Sequence, residues 1–547
     1  MKATDAMLHL DAVAGSIPEP VLPPNALNSQ ISEILRATRP FLDTDRDRIL
    51  RNIEVLEQQL SVYDTLLNRI DEVRLEMQNH RDVVHKSMAA YSSTLAPIRR
   101  LPSDILRAVF LEVQISLWWN PERSKSHSDS GPEVLDFSQG PWKLSHVCGA
   151  WRDIVLSYPQ LWSRIVLQFG RSNGPVTTLR HKVPALQAAI LRSAQHPLDI
   201  VFKLWTVRCA GAEITANEDA AVQAFPIILE ESYRWRSIDA NLSITLLEQL
   251  KVVRGKILCL EYLTLKTSHY PYLSAEELPE DVRSVFIDAP RLQKVILHPT
   301  RGSNGFMLPL HITHLATFMG KVSDVEAYQS LVECHLAIKE DPDVSPLHPI
   351  HLPNVRRLFV SSPDLLSRLR LPSLNDLTIS NGPSILSDMN AVVLMMNEFV
   401  YRSRCSLTRL SIHHSIASYD GFINDCPLLM DSLVSLEIEL FRNMKDIFDA
   451  LTSIGFLPNL QHLFLQIRSP QLSSLDLLTA MISSRSQNLR SIRISCNRAD
   501  DVERVNEHLA PLRPTGLLMV VFIDRDYKYD VKGCFGKFES TMHIILR

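Results

Sequence analysis

The sequence predicts an α/β protein built from three unlike parts: a long N-terminal helix, a group of three short helices, and an irregular solenoid of strands alternating with helices. Three observations carry this. From Phe41 to Ala96 there is no Gly or Pro, and apolar residues recur in 4-3 alternation. Residues 98–165 hold three short amphipathic stretches. From Trp235 onward, a frame with apolar residues at its first, fourth and sixth positions recurs ten times. Composition agrees: 78 leucines and only 17 glycines in 547 residues favour helices and leucine-based repeats over a glycine-rich nucleotide fold.

In chain order, residues 1–30 carry Pro18, Pro20, Pro23 and Pro24 without periodicity and read as a disordered lead-in. Residues 31–96 read as a long helix. Its seam runs Ile49, Ile53, Leu56, Leu60, Tyr63, Leu67, Ile70, then Met77, Val84, Met88, Tyr91 and Leu95, with Arg74 and Arg81 on seam positions. That is a coiled-coil pattern. A lone helix cannot bury such a stripe, so it either pairs with another chain, self-association through 45–95 included, or folds back. Pro97 ends it.

Within 98–165, Pro102 stands where a helix can begin, and Asp104 places a negative charge in the first turn. Ile105 and Val109 form one stripe; Leu106, Phe110 and Val113 form the next. A polar insert follows over 120–140, beside Trp118 and Trp119. Then Leu144, Val147, Cys148, Trp151 and Val155 share one face of a second helix, and Tyr158–Ile165 makes a short third turn. About 60 residues make a marginal core, so this group needs a neighbour or a partner.

These residues resemble the F-box. The pattern is Leu101-Pro102-x-Asp104-Ile105-Leu106 with Val109-Phe110, then Leu144-x-x-Val147-Cys148-x-x-Trp151-Arg152, then Pro159-x-Leu161-Trp162. The insert between the first two helices is longer than many F-boxes carry. The resemblance implies binding to a Skp-type adaptor and, through it, a cullin-based ubiquitin ligase. It implies an interface formed by Leu101, Pro102, Ile105, Leu106, Val109 and Phe110, which Val147, Cys148 and Trp151 support or join. The order of helix, F-box and repeats also resembles the large F-box families of mushroom-forming fungi.

Residues 166–547 resemble an irregular leucine-rich repeat solenoid. The ten frames start at Trp235, Leu260, Leu292, Leu331, Val355, Leu374, Leu407, Leu433, Leu460 and Leu489, spaced unevenly and without an Asn ladder. The frame turns alternate residues of a short strand inward. The expected caps are helix 185–194 with strand 197–202 at one end, and 516–523 with 541–546 at the other. By frame position, outward candidates for reading a protein substrate are Arg356, Arg357, Asn375, Thr408, Arg409, Ser435, Glu437, His462, Arg490 and Arg493.

Other chemistry is not signalled. Net charge is −4, which gives no global basic field for nucleic acid. The eight Cys are scattered, with no CxxC, and read as reduced intracellular thiols. No secretory signal or membrane-length apolar run is read, so a cytoplasmic or nuclear protein is expected. The pairs His311/His314, His348/His351 and His413/His414 complete no metal-ligand spacing, and no HExxH, GxSxG, P-loop or GxGxxG occurs. No metal, cofactor or catalytic set is therefore expected. The reading is a non-catalytic substrate receptor of a ubiquitin ligase; the alternative is a coiled-coil and repeat scaffold without a ligase role.

Overall fold

The computed structural model describes residues 3–22, 25–36, 40–118, 140–169, 179–204, 211–267, 278–297, 306–319, 322–338, 349–380, 389–416, 431–440, 445–467 and 472–523. It is a mixed α/β protein in two compact units, Met1–Pro102 and Ser103–Arg547. Among the described residues, no helix is long and apolar enough to cross a membrane.

The first unit holds α1 (Ala3–Gly15), α2 (Asn25–Leu35) and α3 (Asp43–Thr94). The lead-in is thus helical where no regular structure was expected. Its prolines cluster between the two helices, leaving Ala3–Ile17 free to form one that stops at Gly15. Pro40 parts α2 from α3. Asp45 accepts the Leu42 N–H at 3.3 Å and Arg48 at 2.9 Å, which satisfies the start of α3. The 52 residues of α3 reach about 78 Å at 1.5 Å per residue. Beyond Pro97, the Arg99 guanidinium folds back to donate to the Ser93 carbonyl at 2.7 Å.

The chain before α3 runs antiparallel along its N-terminal half. Arg48 donates to the Gln30 side chain at 3.0 Å. Gln59 bonds both the N–H and the carbonyl of Val21, and the Tyr63 hydroxyl donates to Pro18 at 2.6 Å. Folding back therefore covers one side of the first half of α3. From Asp64 to Leu95 every side chain is exposed.

In the second unit, α4 (Ser103–Trp118), α5 (Gly140–Ser145) and α6 (Gly149–Leu156) precede a 3-10 turn, Pro159–Trp162. The insert at 120–140 lies outside the described residues except for Gly140, as do Trp119 and the expected cap at 541–546. The strands are β1 (Arg164–Phe169), β2 (Leu198–Leu204), β3 (Trp235–Leu242), β4 (Tyr262–Thr267), β5 (Lys294–Leu297), β6 (His314–Met319), β7 (Glu333–Ile338), β8 (Ile350–His351), β9 (Arg357–Val360), β10 (Leu369–Arg370), β11 (Asp376–Ser380), β12 (Arg409–Ile416), β13 (Ser435–Leu440), β14 (His462–Ile467), β15 (Ser491–Cys496) and β16 (Leu518–Ile523). Fourteen of them form one parallel sheet in chain order; β8 and β10 pair separately.

The frame's fourth position makes one row across the whole sheet. It runs Ile165, Ile200, Ile238, Leu263, Val295, Leu315, Cys334, Leu358, Leu377, Leu410, Leu436, Leu463, Ile492 and Met519 in direct register. All but Met519 are buried, and all belong to or pack on one continuous core. The ten first-position residues are buried as well. One frame escaped the sequence reading, Ile312-x-x-Leu315-x-Thr317, because a threonine replaces the third apolar residue. It divides the 39-residue gap between Leu292 and Leu331. The sheet also starts earlier than expected, at Arg164, so the helical segment and the sheet share a core that includes Leu106, Phe110, Val155 and Ile165.

Where an Asn ladder is absent, the backbone itself ties the turns into the strands. The N–H groups of Glu261, Gln293, Thr313, Val332, Arg356, Asn375, Thr408, Val434, Gln461 and Arg490 each donate to the equivalent carbonyl one repeat earlier, at 2.8–3.0 Å. Two arginines add a second tie. Arg402 at the end of helix Met389–Ser403 donates to the carbonyls of Leu366 and Leu369. Arg485 at the end of helix Leu472–Arg485 reaches the carbonyls of Leu451, Ser453, Phe456 and Leu457.

Candidate functional site

The surfaces of the second unit differ in which apolar and charged side chains the fold leaves outside. The three-helix segment sorts its residues sharply. Leu106 and Phe110 point inward from α4, and Phe110 packs on Trp151 of α6 with ring centroids 4.6 Å apart. Trp162 donates its indole N–H to the Val155 carbonyl at 2.9 Å and meets Trp142 edge-on at 4.9 Å. The guanidinium of Arg192, from helix Leu179–Arg192, lies 4.5 Å from both indoles and so clamps α5 and the 3-10 turn to the next helix.

The opposite stripe of α4 is not used by this core. Ile105 is 45% exposed, Val109 half-buried and Val113 37% exposed, each four residues from the last. Val113 thus parts from Leu106 and Phe110, with which its spacing grouped it. Val147 is 54% exposed before α6, and Leu156 is exposed at its end. Cys148 is half-buried at the α6 N-cap, and Leu101 and Pro102, exposed, close the first unit. Of the nine candidate adaptor residues, Leu106, Phe110 and Trp151 therefore build the segment, while Leu101, Pro102, Ile105 and Val147 face solvent. Arg192 was missed because its partners lie 30 and 50 residues away in sequence.

The frame's third position makes a second row across the sheet, and it is polar: Arg164, Asp199, Ser237, Tyr262, Lys294, His314, Glu333, Arg357, Asp376, Arg409, Ser435, His462 and Ser491. Its charges neutralise one another locally. Asp199 accepts a forked pair from Arg236, which raises the Arg236 pKa. Glu333 accepts His335 Nε2 at 3.0 Å, with Arg357 at 3.4 Å and His314 at 3.9 Å. Burial acts to raise the Glu333 carboxyl, but the His335 bond and the charges of His335, His314 and Arg357 carry it below the ordinary value. Burial pushes His314 down to about 4, with Glu333 opposing. Asp376 stands between Arg357 and Arg409; burial raises its carboxyl, and the two arginines act against that rise.

Of the ten outward candidates, Arg356, Arg357, Asn375, Thr408, Arg409, His462, Arg490 and Arg493 are exposed and Ser435 is half-buried. Glu437 is instead buried. It accepts Ser411 Oγ at 3.0 Å, with His413 at 3.5 Å and Arg409 at 3.7 Å, so it orients Arg409 and does not face a partner. Cys148, Cys259, Cys334, Cys405 and Cys496 are free thiols; burial pushes Cys334 up to about 12 and Cys405 and Cys496 up to about 11, far from the range of a nucleophile. Among the described residues, no three His, Cys, Asp or Glu side chains gather as a cation site. No protein-family model matches the chain, and no curated protein matches it.

Proposed function

We propose that the chain is a substrate-recognition subunit of a Skp–cullin–F-box ubiquitin ligase. The F-box-like segment, from Leu101 to Trp162, would hold the Skp-type adaptor. The strands, read as degenerate leucine-rich repeats, would hold a protein target. The work is proximity: a lysine of the held target meets a ubiquitin thioester at high effective concentration, and no residue of this chain does covalent chemistry.

The observation that carries the reading is the division of the motif. Its Leu106, Phe110 and Trp151 serve the internal core, while Ile105 and Val147, which that core does not need, stay exposed. A segment of this size keeping branched apolar residues in water is expected of a docking face. The exposed arginines along the strands, Arg356, Arg357, Arg409 and Arg493, supply donors for a target's carboxylates.

Co-purification of the full chain with a Skp-type adaptor and a cullin tests this. The double variant Ile105→Glu/Val147→Glu should lose the adaptor while keeping the wild-type circular dichroism spectrum and melting midpoint. A wild-type chain that never captures adaptor would sink the proposal in favour of a scaffold role.

A further inference from the structure

We infer that a second copy of this chain covers the apolar stripe of α3, and that the two α3 helices run antiparallel. Leu67, Ile70, Met77, Val84, Met88, Tyr91 and Leu95 are each at least half exposed, and they continue one heptad seam without a break in the helix. The chain's own lead-in lies on one row of the seam in the first half, reaching Tyr63 and Gln59 and leaving Ile49 and Leu56 half-buried. It leaves the neighbouring seam residues Ile53 and Leu60 exposed. The surface on offer is therefore fully open from Asp64 to Leu95 and partly covered before it.

Self-complementarity of charge selects the occupant and its direction. Between Asp64 and Lys86 there are five acidic and four basic residues, so two copies are not driven apart by net charge. Arg74 and Arg81 occupy the same heptad position as Leu60, Leu67 and Met88. A parallel pair would stack each arginine on its own copy inside the seam, placing like charges in contact. An antiparallel pair that sets Leu67 against Met77 of the second copy also sets Leu60 against Val84, Arg74 against Ile70 and Arg81 against Tyr63. In that register Asp71 and Asp64 of the second copy come within one residue of the level of Arg74 and Arg81. Each arginine then lays its stem on an apolar side chain and its head beside a carboxylate. In the single chain Arg74 pairs, among the described residues, with its own Asp71 at 3.7 Å, open to solvent.

The full-length chain is measured by size-exclusion chromatography with light scattering at micromolar concentration, and twice the chain's mass is expected. Arg74→Glu/Arg81→Glu should weaken the dimer by about tenfold or more, and adding Asp64→Lys/Asp71→Lys should restore it. Leu67→Cys mixed with Met77→Cys should give a disulfide joining positions 67 and 77, mapped by mass spectrometry. Leu67→Cys alone should not join to itself, because antiparallel copies hold those positions some 15 Å apart along the axis. All six substituted positions are exposed, so the variants leave the fold intact. A monomeric wild type would assign the stripe to a different occupant and overturn the inference. A 67-to-67 disulfide, or a charge swap that fails to restore the dimer, would overturn the antiparallel register.

Discussion

The Arg485 guanidinium donates to the Leu457 carbonyl at 2.9 Å, and Leu457, a non-glycine residue, has a left-handed backbone at φ 49°. The same guanidinium also reaches the carbonyls of Leu451, Ser453 and Phe456, while its side chain is almost wholly buried. It holds closed a turn that its own residues do not favour. Arg485→Met should therefore leave several buried carbonyls without donors and cost about 3–5 kcal/mol in urea unfolding. Arg485→Lys should recover little of it, since a point ammonium cannot span carbonyls arranged for a planar fork.

The clamp at Trp142 and Trp162 makes a different prediction. Arg192→Ala removes a cation held over two indoles and should cost about 1–2 kcal/mol. The loss should be local. Hydrogen exchange should quicken in α5 and the 3-10 turn, while β12 to β15 keep wild-type protection.

Within α4, neighbouring residues should respond in opposite ways. Phe110→Ala opens a cavity against Trp151 and should cost about 3–5 kcal/mol. Ile105→Ala, one stripe away, should change stability by less than about 1 kcal/mol. Equal costs at both positions would mean that Ile105 is part of the internal core.

The cluster on β6 and β7 should make the protein acid-sensitive. His314 titrates at about 4 when folded, mainly through burial, against about 6.5 in an unfolded chain. The unfolded chain then binds the proton more tightly, so this contribution is whole above about pH 6.5 and is lost as pH falls toward 4. Glu333, held below its ordinary value, loses its own contribution as pH falls through the carboxylate range. The unfolding free energy from urea titrations should thus fall from pH 7 to 4.5, and His314→Gln should reduce that fall by about 1–2 kcal/mol. This is less than full linkage because solvent still reaches the ring.

How far the sequence could be read depended on the distance between interacting residues. The fourth-position row was legible because each repeat spells its own inward Leu or Ile, as at Leu377-x-Ile379 and Leu436-x-Ile438. The Thr317 frame was not, because its burial is set by the strands on either side. The helices of the lead-in were obscured by prolines that sit between them. Glu333 had one local partner in sequence, His335 two residues on, while Arg357 and His314 reach it from separate strands. Glu437 was misplaced for the same reason: frame position says which way a residue points, not what will cover it.

By itself, the sequence determined the unbroken helix, the alternation that makes parallel strands, and the residues that turn into the core. These follow from backbone preference and from periods of two and 3.6, which act over a few neighbours. Only the tertiary structure decided the rest. It separated Ile105 from Phe110, turned Arg192 and Arg485 into ties between elements far apart in the chain, and gathered opposite charges around Asp199 and Glu333. Burial and charge depend on residues 20 to 50 positions away, and only the assembled sheet brings those within a few ångströms.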